Sequence, residues 1–380
     1  MSSAIKYQLE YWNSDLHEGD ILCTNSPSVG GTHLPDITVI SPVFYENKIQ
    51  FVVAARAHHS EIGGSSPGSS SSYAREIYEE GVNIETWKIV QKGKLDYEGL
   101  DYHFNVAPRK YGVSGTRNID DNISDLKAQI AANQRGINLL KELFNEYGSE
   151  TVLFYMRNVK KTAEMGVRKF LMKFARENAD RLPLRAVDFL DDGTQVQVKI
   201  DINPQDGSAV FDFTGTSLES YSNLNAPKSV TASAVIYVLR CLVNLDIPLN
   251  QGCLDPCTLV IPENSLINPS KYAAVCAGNG MTSQRGRVRR ILGDADQHDE
   301  YEDHRPGDSG AAVPLCSAAV LHSEEQWRSR KMERGRRSDQ RDPVLVACAR
   351  VAGDPAAGFC SVGHLRGRKR EAGRELSRAQ

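Results

Sequence analysis

Two short segments hold the residues with the most chemistry to offer: Gly30-Gly31-Thr32-His33-Leu34-Pro35-Asp36 and Arg56-Ala57-His58-His59. Two imidazoles and a carboxylate, with room left for water, form the donor set of a catalytic metal site. The same residue types are common where strands meet loops. Spacing alone therefore leaves ordinary strand-end polarity as the alternative.

A β-hairpin must bring the two segments together. Residues 37–44 and 49–55 are rich in β-branched and apolar side chains, and Tyr45-Glu46-Asn47-Lys48 supplies a polar turn. A turn centred near Glu46-Asn47 places Asp36 opposite residue 57, with His58 beside Asp36 and Pro35. His58 and His59 face opposite sides of a strand, and a one-residue slip exchanges them. The Gly- and Ser-rich run 63–72 follows directly, where an active-site lid or a plain linker fits.

A second polar constellation lies on a helix expected from about 122 to 147. Asp121, Asp125, Gln129 and Asn133 recur every four residues and stack on one side. A stripe of short carboxylates and amides, unlike a Glu/Lys mixture, suggests a wall facing a cavity or another buried polar element. An ordinary wet face is the alternative. Asp120 or Asp121 suits the N-cap, and Leu126, Ile130 and Ile137 begin the apolar side. Arg117 and Asn118, just upstream, suit an anion clamp or support for a ligand histidine, or Arg117 simply pairs with Asp120 or Asp121.

Further along, a helix is expected over 151–178. A hairpin follows, with alternating Val196, Val198, Ile200 and Ile202 and a return strand from Val210. Asp201 and Asp212 read as solvent-facing strand residues. A buried helix over 232–243 and a strand over 257–261 complete the pattern. Strands, long helices, then strands indicate a mixed α+β domain with hairpin-rich sheets.

The chain has 380 residues and a net charge of −3, so no global field favours nucleic acid or an anionic membrane. No apolar run approaches the ~20 residues that span a bilayer, and the start lacks a secretory pattern. The eight cysteines are far apart and read as free thiols in a reducing compartment, so a cytoplasmic location is expected. Composition changes abruptly after Arg285. Residues 1–285 hold 15 Lys and 12 Arg, whereas 286–380 hold 2 Lys and 16 Arg. Types specified by AT-rich codons vanish together, and Ser323–Arg341 has no core-forming period. A natural basic tail is one explanation, and a GC-rich gene read out of frame or through an intron is the other, which we adopt. Residues 286–380 are thus taken as an Arg-rich, low-order tail to which no function is assigned.

From Lys6 to Gln284 the chain resembles the hydantoinase B/oxoprolinase family, closest to the C-terminal half of eukaryotic ATP-dependent 5-oxoprolinases. The matching blocks are Gly19-Asp20-Ile21, Gly30 to Asp36, Ala55 to Gly64, Gly115 to Asn118, Asp121 to Asn133, Asn250 to Cys253, Ala277 to Asn279 and Thr282 to Gln284. On that resemblance, residues 1–285 form a partial family domain truncated at both ends. The resemblance implies a divalent metal held by His33, Asp36 and His58. It implies ATP bound by a part absent from this chain, since no Walker-type run is present. The activity implied is ATP-dependent opening of a cyclic amide, 5-oxoproline giving glutamate, ADP and phosphate, with the isolated fragment inactive. His59 and Asp125 are assigned proton movement. Arg56, Arg117, Asn118, Asp121, Gln129 and Asn133 are assigned to supporting the ligands or contacting substrate. The implied partners are a lactam, a hydantoinase A-like half or subunit, and further copies of the chain. Alternatives are the B subunit of a hydantoinase or related carboxylase, or a non-catalytic fragment.

Overall fold

The computed structural model describes residues 1–190, 192–243, 245–278, 344–349 and 360–362. In chain order the principal elements are α1 (Ser2–Trp12), β1 (Ile21–Thr24), β2 (Asp36–Tyr45), β3 (Lys48–His58), β4 (Trp87–Gln91) and β5 (Lys94–Leu95). Then come α2 (Ile119–Tyr147), α3 (Ser149–Glu177), β6 (Leu184–Phe189), β7 (Gln195–Ile202), β8 (Ala209–Asp212), α4 (Lys228–Val243), β9 (Cys257–Val260), β10 (Val344–Ala349) and β11 (Cys360–Val362). One sheet has the order β11-β10-β3-β2-β1-β4-β5 and the other β6-β7-β8-β9. The mixed α+β architecture is the expected one. No helix among the described residues is long and apolar enough to cross a membrane.

The β2–β3 hairpin turns through Glu46 and Asn47, both left-handed, as a two-residue primed turn requires. Its register departs from a uniform ladder. Phe44 pairs with Ile49, but Val43 pairs with Phe51, so Gln50 is a bulged extra residue in β3. Beyond the bulge Asp36 pairs with His58, and Thr38 with Arg56. The expected pairing of Asp36 with residue 57 is therefore corrected by one residue.

The hairpin is buried on both sides. Ile40, Val52 and Ala54 pack with Ile5 and Leu9 of α1 on one face. On the other, Val43, Phe51 and Val53 pack with Leu140 and Phe144 of α2. At the end away from the turn, the α1 face carries Asp36, Thr38, Arg56 and His58, the residues in register with Ile40 and Ala54.

α2 begins at Ile119, three residues earlier than expected. Asn118 stands at its N-cap, without a side-chain cap, instead of Asp120 or Asp121. Its buried positions are Asn122, Leu126, Gln129, Asn133, Gly136, Leu140 and Phe144, alternating by three and four residues as a straight stripe demands. Strand β6 was not evident in the sequence, and β10 and β11 fall within the segment read as a low-order tail. The rest of that segment lies outside the described residues.

Candidate metal centre

His33 sits in the turn that enters β2, is buried, and has Nδ1 3.1 Å from Asp36 Oδ2. Gly30 ends the short helix Pro27–Val29 just upstream. Its φ of +97° is left-handed, and a Cβ there would lie 2.5 Å from Ala4 N, so only glycine lets α1 approach so closely. The ring of His58 lies 5.1 Å from that of His33, centroid to centroid. One ligand atom each from His33, Asp36 and His58 falls within 4.8 Å of the others. A shared ion at about 2.1 Å from each ligand requires separations of roughly 3–4 Å, and the His33–Asp36 pair already stands at 3.1 Å. Two imidazoles and a carboxylate, a mixed N/O donor set, suit a divalent first-row transition ion. The residues fit the implied metal.

The surroundings hold the carboxylate ready. Thr32 Oγ1 donates to Asp36 Oδ2 at 2.6 Å. Burial works against the ionised form of Asp36, but the hydrogen bonds from His33 and Thr32 and the charge of Arg56 outweigh it, so the pKa lies below the ordinary carboxylate value. Arg56 donates from Nε to Thr38 Oγ1 at 2.8 Å and from Nη1 to Thr32 Oγ1 at 3.5 Å.

Residues 1–294 match the family profile for hydantoinase B/oxoprolinase. This chain belongs to the hydantoinase B/oxoprolinase family. It is 49% identical to 5-oxoprolinase 1 of Arabidopsis thaliana over 297 residues, covering 75% of this chain and 24% of that protein. It is 47% identical to 5-oxoprolinase of Saccharomyces cerevisiae over 287 residues, covering 75% and 22%. The chain thus spans about a quarter of the length of these curated relatives. The ATP-dependent caprolactamase of Pseudomonas jessenii shares the fold at a TM-score of 0.66 and 22% identity, over 78% of this chain and 50% of that one.

Within this hydantoinase B fold, His59 lies apart from the His33, Asp36, His58 cluster. It is fully buried, faces α2, and has Nε2 3.1 Å from Gln129 Oε1 and Nδ1 3.2 Å from Asn122 Nδ2. Gln129 Nε2 donates to the carbonyls of Ile37 and Ala55, so its Oε1 is left to accept, and Asn122 donates. This pattern assigns the proton of His59 to Nε2 and leaves Nδ1 as acceptor. Burial, aided by His58, lowers its pKa against the opposing effects of Gln129 and Asp125. Asp125 is half-exposed, 4.0 Å from His59 Nδ1 and too far for a hydrogen bond.

The remaining expected site residues divide. Asn133 is buried, donating to Val39 O and Ser41 Oγ, while Asp121 is exposed and accepts from Asn118. Arg117 pairs with Glu61 at 3.0 Å and not with Asp120 or Asp121. It also donates to the carbonyls of Gly64 and Ser66, while Glu61 accepts from Gly63 N and Gly68 N. Asn223 fixes Ser71 O, and Cys276 Sγ lies 3.6 Å from Ser69 O. The 63–72 loop is thus anchored along its length.

Sequence reasoning missed Asn122, Thr32, Thr38 and Glu61. Asn122 was findable, being seven residues before Gln129 on the same helical stripe. Glu61 carries no local signal, because its role is to organise a loop that follows it.

Proposed function

We propose that this chain is the metal-binding part of an ATP-dependent cyclic amide hydrolase, one that opens 5-oxoproline to glutamate. The observation that carries the reading is the convergence of His33, Asp36 and His58 on one face at the end of the hairpin. The 5-oxoprolinase relatives are 47–49% identical to this chain over the aligned residues. On this reading the family function resides in residues 1–285, and the chain works with an ATP-handling hydantoinase A-like half or subunit. By itself it hydrolyses no lactam.

A lactam amide resists attack by water, which is why ATP is needed to activate its carbonyl oxygen. His33, Asp36 and His58 would hold a divalent ion, which would supply Lewis acidity and lower the pKa of a bound water. The chain's own residues preorganise the face. Thr32 holds one oxygen of Asp36, and Thr38 holds the guanidinium of Arg56. His59, neutral with both nitrogens engaged, pins the end of β3 to α2. Asp125, half-exposed and not hydrogen-bonded to His59, is the residue assigned to proton movement. The anchored 63–72 loop follows His58 directly and serves as a cover that limits solvent entry.

Reconstitution tests the reading. The chain mixed with a separately produced ATP-handling half of a 5-oxoprolinase, in the presence of Mn²⁺, is expected to release glutamate and ADP from 5-oxoproline and ATP. Either component alone is expected to do neither. Glutamate release that persists with the His33→Ala, Asp36→Ala double variant would contradict the assignment.

A further inference from the structure

The guanidinium of Arg56 is incompletely used. Nε is fixed by Thr38 and Nη1 leans on Thr32, but Nη2 is buried and no acceptor among the described residues reaches it. A donor on a buried cation with no acceptor is costly, and natural proteins seldom leave one without reason. Arg56 shares its sheet face with Asp36 and His58, one pleat away from each. With a divalent ion in place, this face holds the ion and Arg56 against the single carboxylate of Asp36. That balance is net positive in a partly desolvated setting, where it favours an anion.

We propose that Arg56 is a substrate-binding residue whose free Nη2 edge takes the carboxylate of the lactam, so that the centre selects rings bearing an anionic group. The inference rests on the cyclic amide reading above and adds a basis for substrate choice. Arginine suits the task because its planar fork is always charged and two of its three nitrogens are already anchored. The substrate carboxylate supplies the acceptor that the fold withholds, and a ring without one leaves Nη2 unsatisfied. The phosphate of an activated intermediate has the same anionic oxygen chemistry and is the other source to be distinguished.

Titration calorimetry on the 380-residue chain loaded with Mn²⁺ tests this with three probes: 5-oxoproline, 2-pyrrolidinone (the same ring without the carboxylate) and inorganic phosphate. Wild type, Arg56→Gln and Arg56→Lys are compared, with circular dichroism and metal content as fold controls. Wild type is expected to prefer 5-oxoproline over 2-pyrrolidinone by roughly ten- to hundredfold, the range for a charge-assisted hydrogen bond. Arg56→Gln is expected to abolish the preference without weakening 2-pyrrolidinone. Arg56→Lys, which keeps the charge but loses the fork, is expected to fall between and carries the test if Arg56→Gln fails its fold control.

An undiminished preference in both variants, or equal binding of the two lactams to wild type, overturns the role of Arg56 and leaves the lactam reading standing. Arg56-dependent binding of phosphate with no binding of either lactam overturns both the carboxylate assignment and the lactam reading. No binding of any probe to wild type overturns a preformed anion site in this chain.

Discussion

His58 and His59 are neighbours in sequence with opposite employment. One joins His33 and Asp36, while the other is sealed beneath α2 between Asn122 and Gln129. The closeness of His33 and Asp36 was legible, because a turn entering a strand brings such residues together, while their reading as ligands came from the family resemblance. The choice between the two following histidines was not, since it depends on Gln50, a single bulged residue that no local propensity announces. Without that bulge Asp36 would face residue 57, and the opposite histidine would share its side of the sheet. The sealed position of His59 predicts a stability role. Gln129→Leu, which leaves the His59 Nε2–H and two strand carbonyls without their partner, is expected to cost about 1–3 kcal/mol in urea unfolding. Metal content is expected to be unchanged. Loss of metal with unchanged stability would contradict the division of labour.

α2 shows how a correct element can carry a misread face. Asp121, Asp125, Gln129 and Asn133 were grouped by a four-residue interval, but each such step rotates about 40° around an α-helix. The stripe therefore begins exposed at Asp121 and Asp125 and ends buried at Gln129 and Asn133. The three-four alternation from Asn122 stays on the sheet. The loop after β3 depends on glycine at two adjacent positions, Gly63 and Gly64. Gly64 has φ +94°, and a Cβ there would lie 2.6 Å from Glu79 O. Gly64→Ala is expected to cost at least about 1 kcal/mol and to make the 63–72 segment the first site of limited proteolysis. Resistance equal to wild type would show that the loop is not held as described.

The short helix Ile77–Glu80 beyond the loop supplies a pH test at the same scale. Glu80 accepts from the backbone N–H groups of Val275 and Cys276 through Oε1, while Oε2 is buried without a partner among the described residues. Burial pushes its pKa up to about 8, despite those two hydrogen bonds. The folded chain therefore keeps a proton that the unfolded chain loses near the ordinary glutamate value of 4.5, and stability falls as pH rises from about 4.5 to about 8. Glu80→Gln mimics the protonated form. Its urea midpoint is expected to exceed that of wild type by more at pH 8.5 than at pH 5, and an equal difference at both would refute the buried proton.

For the molecule as a whole, composition and element order were enough to read a mixed α+β protein. The order of the large sheet was not legible, because β1 and β4 extend it on the far side of β2 through contacts distant in sequence. Nor were β10 and β11, since the composition after residue 285 gives no core-forming pattern. Because the proposed centre would draw its ligands from a turn and two strands, metal occupancy would tie these elements together. At a free metal concentration a hundredfold above Kd, the folded chain is expected to gain about 2.7 kcal/mol, read as a raised unfolding midpoint that EDTA reverses. The most direct test of the central claim is metal content by mass spectrometry after loading with Mn²⁺ and gel filtration, in wild type, His33→Ala, Asp36→Ala, His58→Ala and His59→Gln. About one ion per chain is expected in wild type and His59→Gln, and essentially none in the other three. An ion retained by His58→Ala and lost from His59→Gln would contradict the account.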